Sequence, residues 1–326
     1  MRKYVSLVLF FGLCVLFAAC HAEKSKTKKR EVRDSLTIRL AVLPVIDCLP
    51  YYYAKEEGLF DSLGVKVMLK TYKAAMDADT AFCGVSADMI ATDLVKACIW
   101  QSRGDSVEVV MTGQLDLYLM TAYSARIRQI TSLKEKIIGI TRNSSVDMVT
   151  DELLSRAKFL STDLNKPQIN NLKLRCYMVD QNQYDGAILP EPYASECEAR
   201  GARRIFGSQE TGLNLSALVV KDSVANRHKE DLVKLKAAYN LAVEQLNGLL
   251  EAREAALIDS TSSGKEAAAL SLMRYLPDNR SIDIPDSLVK YPAFKPWTEP
   301  TDSTLTRVRK WCEERGLVKG EKKNKK

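Results

Sequence analysis

Residues 40–72 read LAVLPVIDCLPYYYAKEEGLFDSLGVKVMLKTY, and the fold class turns on how that stretch is built. Leu36 to Leu43 alternates and is rich in β-formers, as a strand requires. Pro50 then opens a helix, where its missing N–H costs nothing, and Gly58 stops it. Val65 to Tyr72 alternates again. Strand, helix and strand at this spacing predict a parallel unit of an α/β protein.

The pattern continues toward the C-terminus. Met76 to Cys83 reads as a short helix, Ala87 to Thr92 as a strand, Asp93 to Arg103 as a helix and Val107 to Met111 as a strand. Across Gly113 another strand follows almost at once, which breaks the alternation. Ile137 to Thr141, Leu172 to Val179, Ala187 to Leu189 and Arg203 to Phe206 read as strands. Helices run from Val146 to Ala157, behind the cap signal Asn143-Ser144-Ser145, and from Glu191. Leu215 to Lys221 is a further strand, and 223–250, 264–275 and 304–315 read as helices. Strand-like crossings at about 112–120 and 211–220 imply two α/β lobes with a hinge and an interlobe cleft. Ligands of such folds sit at the C-terminal ends of strands. The implied division is 36–112 for the first part of lobe 1, 113–212 for lobe 2, and 213–318 for the return to lobe 1 with the C-terminal helices.

The N-terminus has its own chemistry. Met1-Arg2-Lys3 is positive, and Val5 to Ala19 is apolar apart from Ser6 and Gly12. That run is shorter than the ~20 residues a spanning helix needs, and it ends on the small pair Ala18-Ala19, as a secretory signal does. Residues 1–19 therefore read as a signal peptide. Residues 20–35 carry few apolar groups and many charges, so they read as a flexible tether, and 319–326 as a basic tail.

The net charge of +7 misleads about the folded body. With Arg2, Lys3 and the ten basic residues of 24–30 and 319–326 set aside, 36 of 48 basic groups remain. With Glu23 and Glu321 set aside, 39 of 41 acidic groups remain. A body near −3 does not present the basic face that nucleic acid requires. There are two histidines, one of them His21, and no C-x-x-C pair. A zinc site or a Ser-His-Asp arrangement is thus poorly supplied, and neither metal, cofactor nor catalytic residues are expected. An exported chain has the means to pair some of Cys48, Cys83, Cys98, Cys176, Cys197 and Cys312, but the sequence does not give the pairing.

Several segments together resemble the periplasmic solute-binding proteins for nitrate, taurine, aliphatic sulfonates and thiamine-pyrimidine precursors. Ala54-Lys55-Glu56-Glu57-Gly58-Leu59-Phe60 matches one such segment, and Gly84 with Asp88 in GVSADMIATD another. SLKEKIIGITRNSS, YDGAILPEPYASECEARG with Asp185, Glu191 and Pro192, and VRKWCEERGLV follow in the same order. The resemblance spans about residues 36–318. It implies a type II periplasmic-binding-protein fold, a small-molecule ligand, and an ABC permease and ATPase as partners of a monomer. Cys20 after Ala18-Ala19 resembles the lipobox of bacterial lipoproteins, with Phe17 where the pattern prefers Leu. That resemblance implies cleavage before Cys20 and a lipid anchor in the bacterial cell envelope. No acidic cluster follows Cys20, which points to a periplasmic face. One departure stands out. The family places a helix between the strand matching 172–179 and Asp185, whereas here only Asp180–Gln183 joins them. Part of the second lobe's wall is then expected to be missing or rebuilt, which keeps open a sensor or interaction module without transport. An enzyme on the same fold is a third reading.

The candidate ligand-binding residues lie at strand ends and helix starts. Asp47 either accepts from a ligand or caps the helix behind it. Tyr51 and Tyr52 belong to a triple with Tyr53 that cannot all face one way at 100° steps. Thr92 and Asp93 open one helix, with Asp93 equally suited to N-capping. Asn143, Ser144 and Ser145 open another, and either bind an anionic or carbonyl group or simply cap. Glu191 precedes Pro192 at a corner the family uses at its cleft, though ordinary helix-start chemistry also explains it. Gly113 and Gln114 are the hinge candidates. Tyrosine faces with a Glu191 carboxylate favour a flat nitrogen heterocycle, such as a thiamine-pyrimidine precursor, over a sulfonate or nitrate. Arg142 is the one basic residue in these loops.

Overall fold

The computed structural model describes residues 36–258, 270–277 and 282–319. The signal segment, Cys20, the tether, residues 264–269 of one expected helix and 320–326 of the tail lie outside them. Two compact units divide after Ile38. Of the first only residues 36–38 are described, and the second, Arg39–Lys326, holds the rest of the first strand and every other element.

Among the described residues nine strands form two sheets: β1 (Thr37–Val42), β2 (Lys66–Thr71), β3 (Met89–Asp93), β4 (Val107–Met111), β5 (Leu117–Thr121), β6 (Ile138–Gly139), β7 (Gly186–Pro190), β8 (Arg203–Gly207) and β9 (Ser216–Lys221). The first sheet has the order β2-β1-β3-β9-β4 and the second β6-β7-β5-β8. β1 and β3 run parallel, as do β6 and β7. β9 lies antiparallel between β3 and β4, and β5 antiparallel between β7 and β8. The chain thus leaves the first sheet after Met111 and returns through Ser216, each time seating a reversed strand inside the new sheet. All of β7 and the first five residues of β9 are buried, which is why GAILP and SALVV read as unbroken apolar runs.

Local chemistry sets the helix ends. Pro50 sits in the first turn of Leu49–Glu56, and Gly58 follows that helix at φ 68°, a left-handed conformation glycine adopts freely. Asp93 caps Leu94–Arg103 by accepting from the Lys96 N–H at 3.0 Å, and Ser144 caps Ser145–Arg156 by accepting from Val146. The expected helix over 223–250 divides at His228 into Asp222–Arg227 and Lys229–Ile258. Of the helix expected over 264–275, the described part is a single turn at Met273–Tyr275. Among the described residues no helix is long and apolar enough to cross a membrane, and the described cysteines are free thiols.

One expectation is overturned. Leu172–Asp180 is a helix rather than a strand. The Asn171 side chain caps it by accepting from the Leu174 N–H at 2.9 Å, and Leu172, Arg175, Cys176 and Val179 are its buried positions, a helical spacing. The extended chain that belongs beside β6 comes earlier, through parallel bridges of Ile137 with Asn165 and Ile140 with Gln168. The wall expected to be missing is therefore present, and Asp180–Gln183 is the ordinary turn behind it.

Candidate functional site

The parallel strands of both sheets end on one cavity of about 110 Å³. From the first sheet it receives Leu43 after β1, Asp47 and Tyr51 beyond it, and Thr92 and Asp93 at the end of β3. From the second it receives Thr141 after β6, Ser144, Ser145, Arg175 and Pro190 at the end of β7. Gly113 and Gln114 on the outward crossing, and Ser216 on the return, complete the wall. Of the sequence candidates, Asp47, Tyr51, Thr92, Asp93, Ser144, Ser145, Gly113 and Gln114 thus line one space.

Three candidates do not. Tyr52 turns away, and its hydroxyl bonds Thr71 Oγ1 at 3.0 Å. Asn143 adopts a left-handed φ of 55° and donates its backbone N–H to Asp147 Oδ2 at 3.1 Å, so it shapes the turn before the helix. Glu191 is buried among protein partners: its Oε2 accepts from the Ser195 N–H at 3.0 Å and its Oε1 from Arg204 Nη2 at 2.5 Å. An amine in the cavity finds no free oxygen there. Tyr53, the third of the triple, bonds Gln245 and meets Tyr275 edge-on, leaving Tyr51 as the member of the triple at the cavity, where it tilts against a second lining ring, Tyr239, at 5.0 Å.

The charges are unevenly placed. Asp47 is buried, and burial, reinforced by the neighbouring Asp116 carboxylate, pushes its pKa well above the usual range. Its Oδ1 accepts from the Asp116 N–H at 3.3 Å, and its Oδ2 has no partner among the described residues. Burial also raises Asp93, to about 6, against the pull of Lys96 and of the backbone N–H groups of Lys96 and Ser145. Lys96 pairs with Asp79. Sequence reasoning missed Arg175, because a residue placed in a strand over 172–179 was given no route to the cleft. The side chain is fully buried, bonds among the described residues only neutral oxygens of Ile169, Ile188 and Thr141, and has its pKa lowered by burial to about 9. Arg142 instead donates to the Lys166 carbonyl. Gly113 has a steric reason as well: a Cβ there would lie 2.5 Å from the Tyr239 hydroxyl.

The family model described as NMT1/THI5 like matches residues 46–246. No curated protein matches the chain. Among solved structures, the alkanesulfonate-binding protein SsuA from Xanthomonas axonopodis pv. citri, bound to MOPS, superposes with a TM-score of 0.68 at 15% identity, covering 87% of this chain and 95% of that one. The periplasmic nitrate-binding protein NrtA from Synechocystis PCC 6803 does so at 0.67 and 10% identity, over 88% and 83%. A Candida albicans protein, the CA3427 gene product, described as exhibiting the generic periplasmic binding protein fold, matches at 0.58 and 12%, over 88% and 92%. At these identities the likeness speaks to the fold, which is that of the periplasmic binding proteins, while the matched sequence model spans more than half the chain: the chain belongs to the NMT1/THI5-like family.

Proposed function

We propose that this protein is a lipid-anchored substrate-binding component of an ABC importer, which captures a small organic solute and delivers it to a permease and its ATPase. The observation that carries the reading is the cavity itself, walled by both sheets at the ends of their parallel strands. Relatives in fold include an alkanesulfonate-binding and a nitrate-binding protein. The two chain crossings, near Gly113 and before Ser216, act as the hinge, and solute selects the closed state. A dry cavity of ~150 Å³ holds a benzene-sized molecule, so about 110 Å³ suits one ring or less. Tyr51 offers an aromatic face, which favours a flat solute such as a thiamine-pyrimidine-like heterocycle. The reading as a sensor or interaction module without transport rested on a missing wall, and the helix Leu172–Asp180 removes that motive.

Native mass spectrometry of protein purified without refolding tests the reading. One retained small molecule per chain is expected, and a chain that is empty and takes up nothing from a metabolite extract contradicts it. The anchor is separately testable. Palmitate label is expected on the wild type and absent from Cys20→Ser, and a soluble, unlabelled wild type would remove the anchor alone.

A further inference from the structure

Three polar atoms at the cavity wall are buried without a hydrogen-bond partner: Asp47 Oδ2, Gln114 Oε1 and Ser216 Oγ. A buried polar atom left unmatched costs about 1–3 kcal/mol, so three at one wall call for a common explanation. Gln114 is oriented by donating its Nε2 to Asp116, which leaves its carbonyl oxygen toward no protein donor. Asp116 also donates its backbone N–H to Asp47 Oδ1. The Asp116 carboxylate acts on Asp47 as a like charge, and among the described residues no lysine, arginine or histidine neutralises Asp47. Asp47 Oδ2 and Gln114 Oε1 find no protein donor among the described residues, and the Ser216 hydroxyl beside them is free to accept or donate.

The opposite chemistry is already committed elsewhere. Lys96 is paired with Asp79. Arg175 spends four hydrogen bonds on Ile169, Ile188 and Thr141. The N-terminus of Ser145–Arg156, a place where an oxyanion would otherwise settle, has the Asp93 carboxylate near enough for the Ser145 N–H to lower its pKa. An oxyanion entering the cavity meets Asp47, Asp79 and Asp93, and among the described residues the lysine and arginine of the wall, Lys96 and Arg175, are already bonded to the protein.

We infer that the solute carries an amino or ammonium group that donates to Asp47 Oδ2, Gln114 Oε1 and Ser216 Oγ, and that oxyanions lacking such a group are excluded. This rests on the solute-binding reading and adds its ligand class, with Asp47 rather than Glu191 as the deciding carboxylate. The amine supplies the missing donors, and its charge favours ionisation of an Asp47 carboxyl that burial in the empty cavity disfavours.

Titration calorimetry on the ligand-stripped protein with matched probes tests it: 4-amino-2-methylpyrimidine against 2-methylpyrimidin-4-one, taurine against ethanesulfonate, and nitrate alone. An amino member is expected to bind at least tenfold tighter than its partner, with nitrate not binding. Asp47→Asn is expected to weaken that amino member at least tenfold while the melting temperature of the empty protein stays or rises, because an acid whose ionisation burial penalises has gone. Ser216→Ala, which removes one hydroxyl, is expected to cost severalfold and serves if Asp47→Asn fails to fold. Ethanesulfonate or nitrate binding as tightly as the amino probes, or amine binding indifferent to both substitutions, overturns the inference and leaves the solute-binding reading standing. If no probe binds, the molecule retained in native mass spectrometry decides. An amine supports the inference, a solute without one overturns it, and no retained molecule at all overturns both readings.

Discussion

Arg175→Met is expected to destabilise the protein by about 2–4 kcal/mol, read as a fall in the urea midpoint with the slope unchanged. The guanidinium stands between β6, β7 and the extended chain beside them. Its Nη1 donates to the Ile188 carbonyl at 2.6 Å, its Nη2 to Thr141 Oγ1 at 2.6 Å, and its Nε to the Ile169 carbonyl at 3.0 Å. Methionine fills much of the same volume but leaves these acceptors unmatched, at about 1–3 kcal/mol each. The loss is reduced because the substitution also removes a buried charge without a carboxylate partner, whose burial lowers its pKa to about 9. A variant as stable as the wild type would mean that water reaches Ile188 and Thr141, and that Arg175 does not staple the second sheet.

Glu191→Ala is expected to cost about 3 kcal/mol in stability and to change solute affinity less than threefold in the protein that remains folded. Removing one partner of a buried ion pair leaves the other uncompensated, at about 3–5 kcal/mol. Arg204 is partly exposed, keeps Glu198 at 3.2 Å and stacks on Tyr118, which holds the loss at the low end. The Ser195 N–H also loses its acceptor. Melting curves and solute titrations on one preparation separate the two effects. A stable variant that has lost its solute would return Glu191 to the binding role its Glu-Pro corner suggests.

The contrast between Glu191 and Asp47 shows how far the sequence carries. Both are acids at the end of an apolar strand segment, and both read equally well as helix-start chemistry. What separates them is a basic partner thirteen residues away in one case and a second acid sixty-nine residues away in the other, and neither distance is visible in local pattern. The tyrosine triple was legible in part, because a 100° step forbids three rings from sharing a face, and only Tyr51 reaches the cavity. The first α/β unit was legible throughout, since Pro50, Gly58 and Asp93 mark its turns chemically. The segment 172–179 misled for a physical reason. Leu172, Leu174, Cys176 and Met178 alternate as a strand does, while Leu172, Arg175, Cys176 and Val179 recur as a helix does. Asn171 was the signal that decides, because a capping side chain favours helix. Placing Arg175 in a strand also hid the basic group at the cavity, so the reading against oxyanions stood on an incomplete inventory. Arg175 itself spends its bonds on the protein.

The most direct measurement is a crystal structure of the full chain purified without refolding. A small molecule enclosed beside Tyr51, with a nitrogen within hydrogen-bond distance of Asp47 Oδ2 and Ser216 Oγ, is the predicted result. A solute bound elsewhere on the chain, or only water between the two sheets, would contradict it.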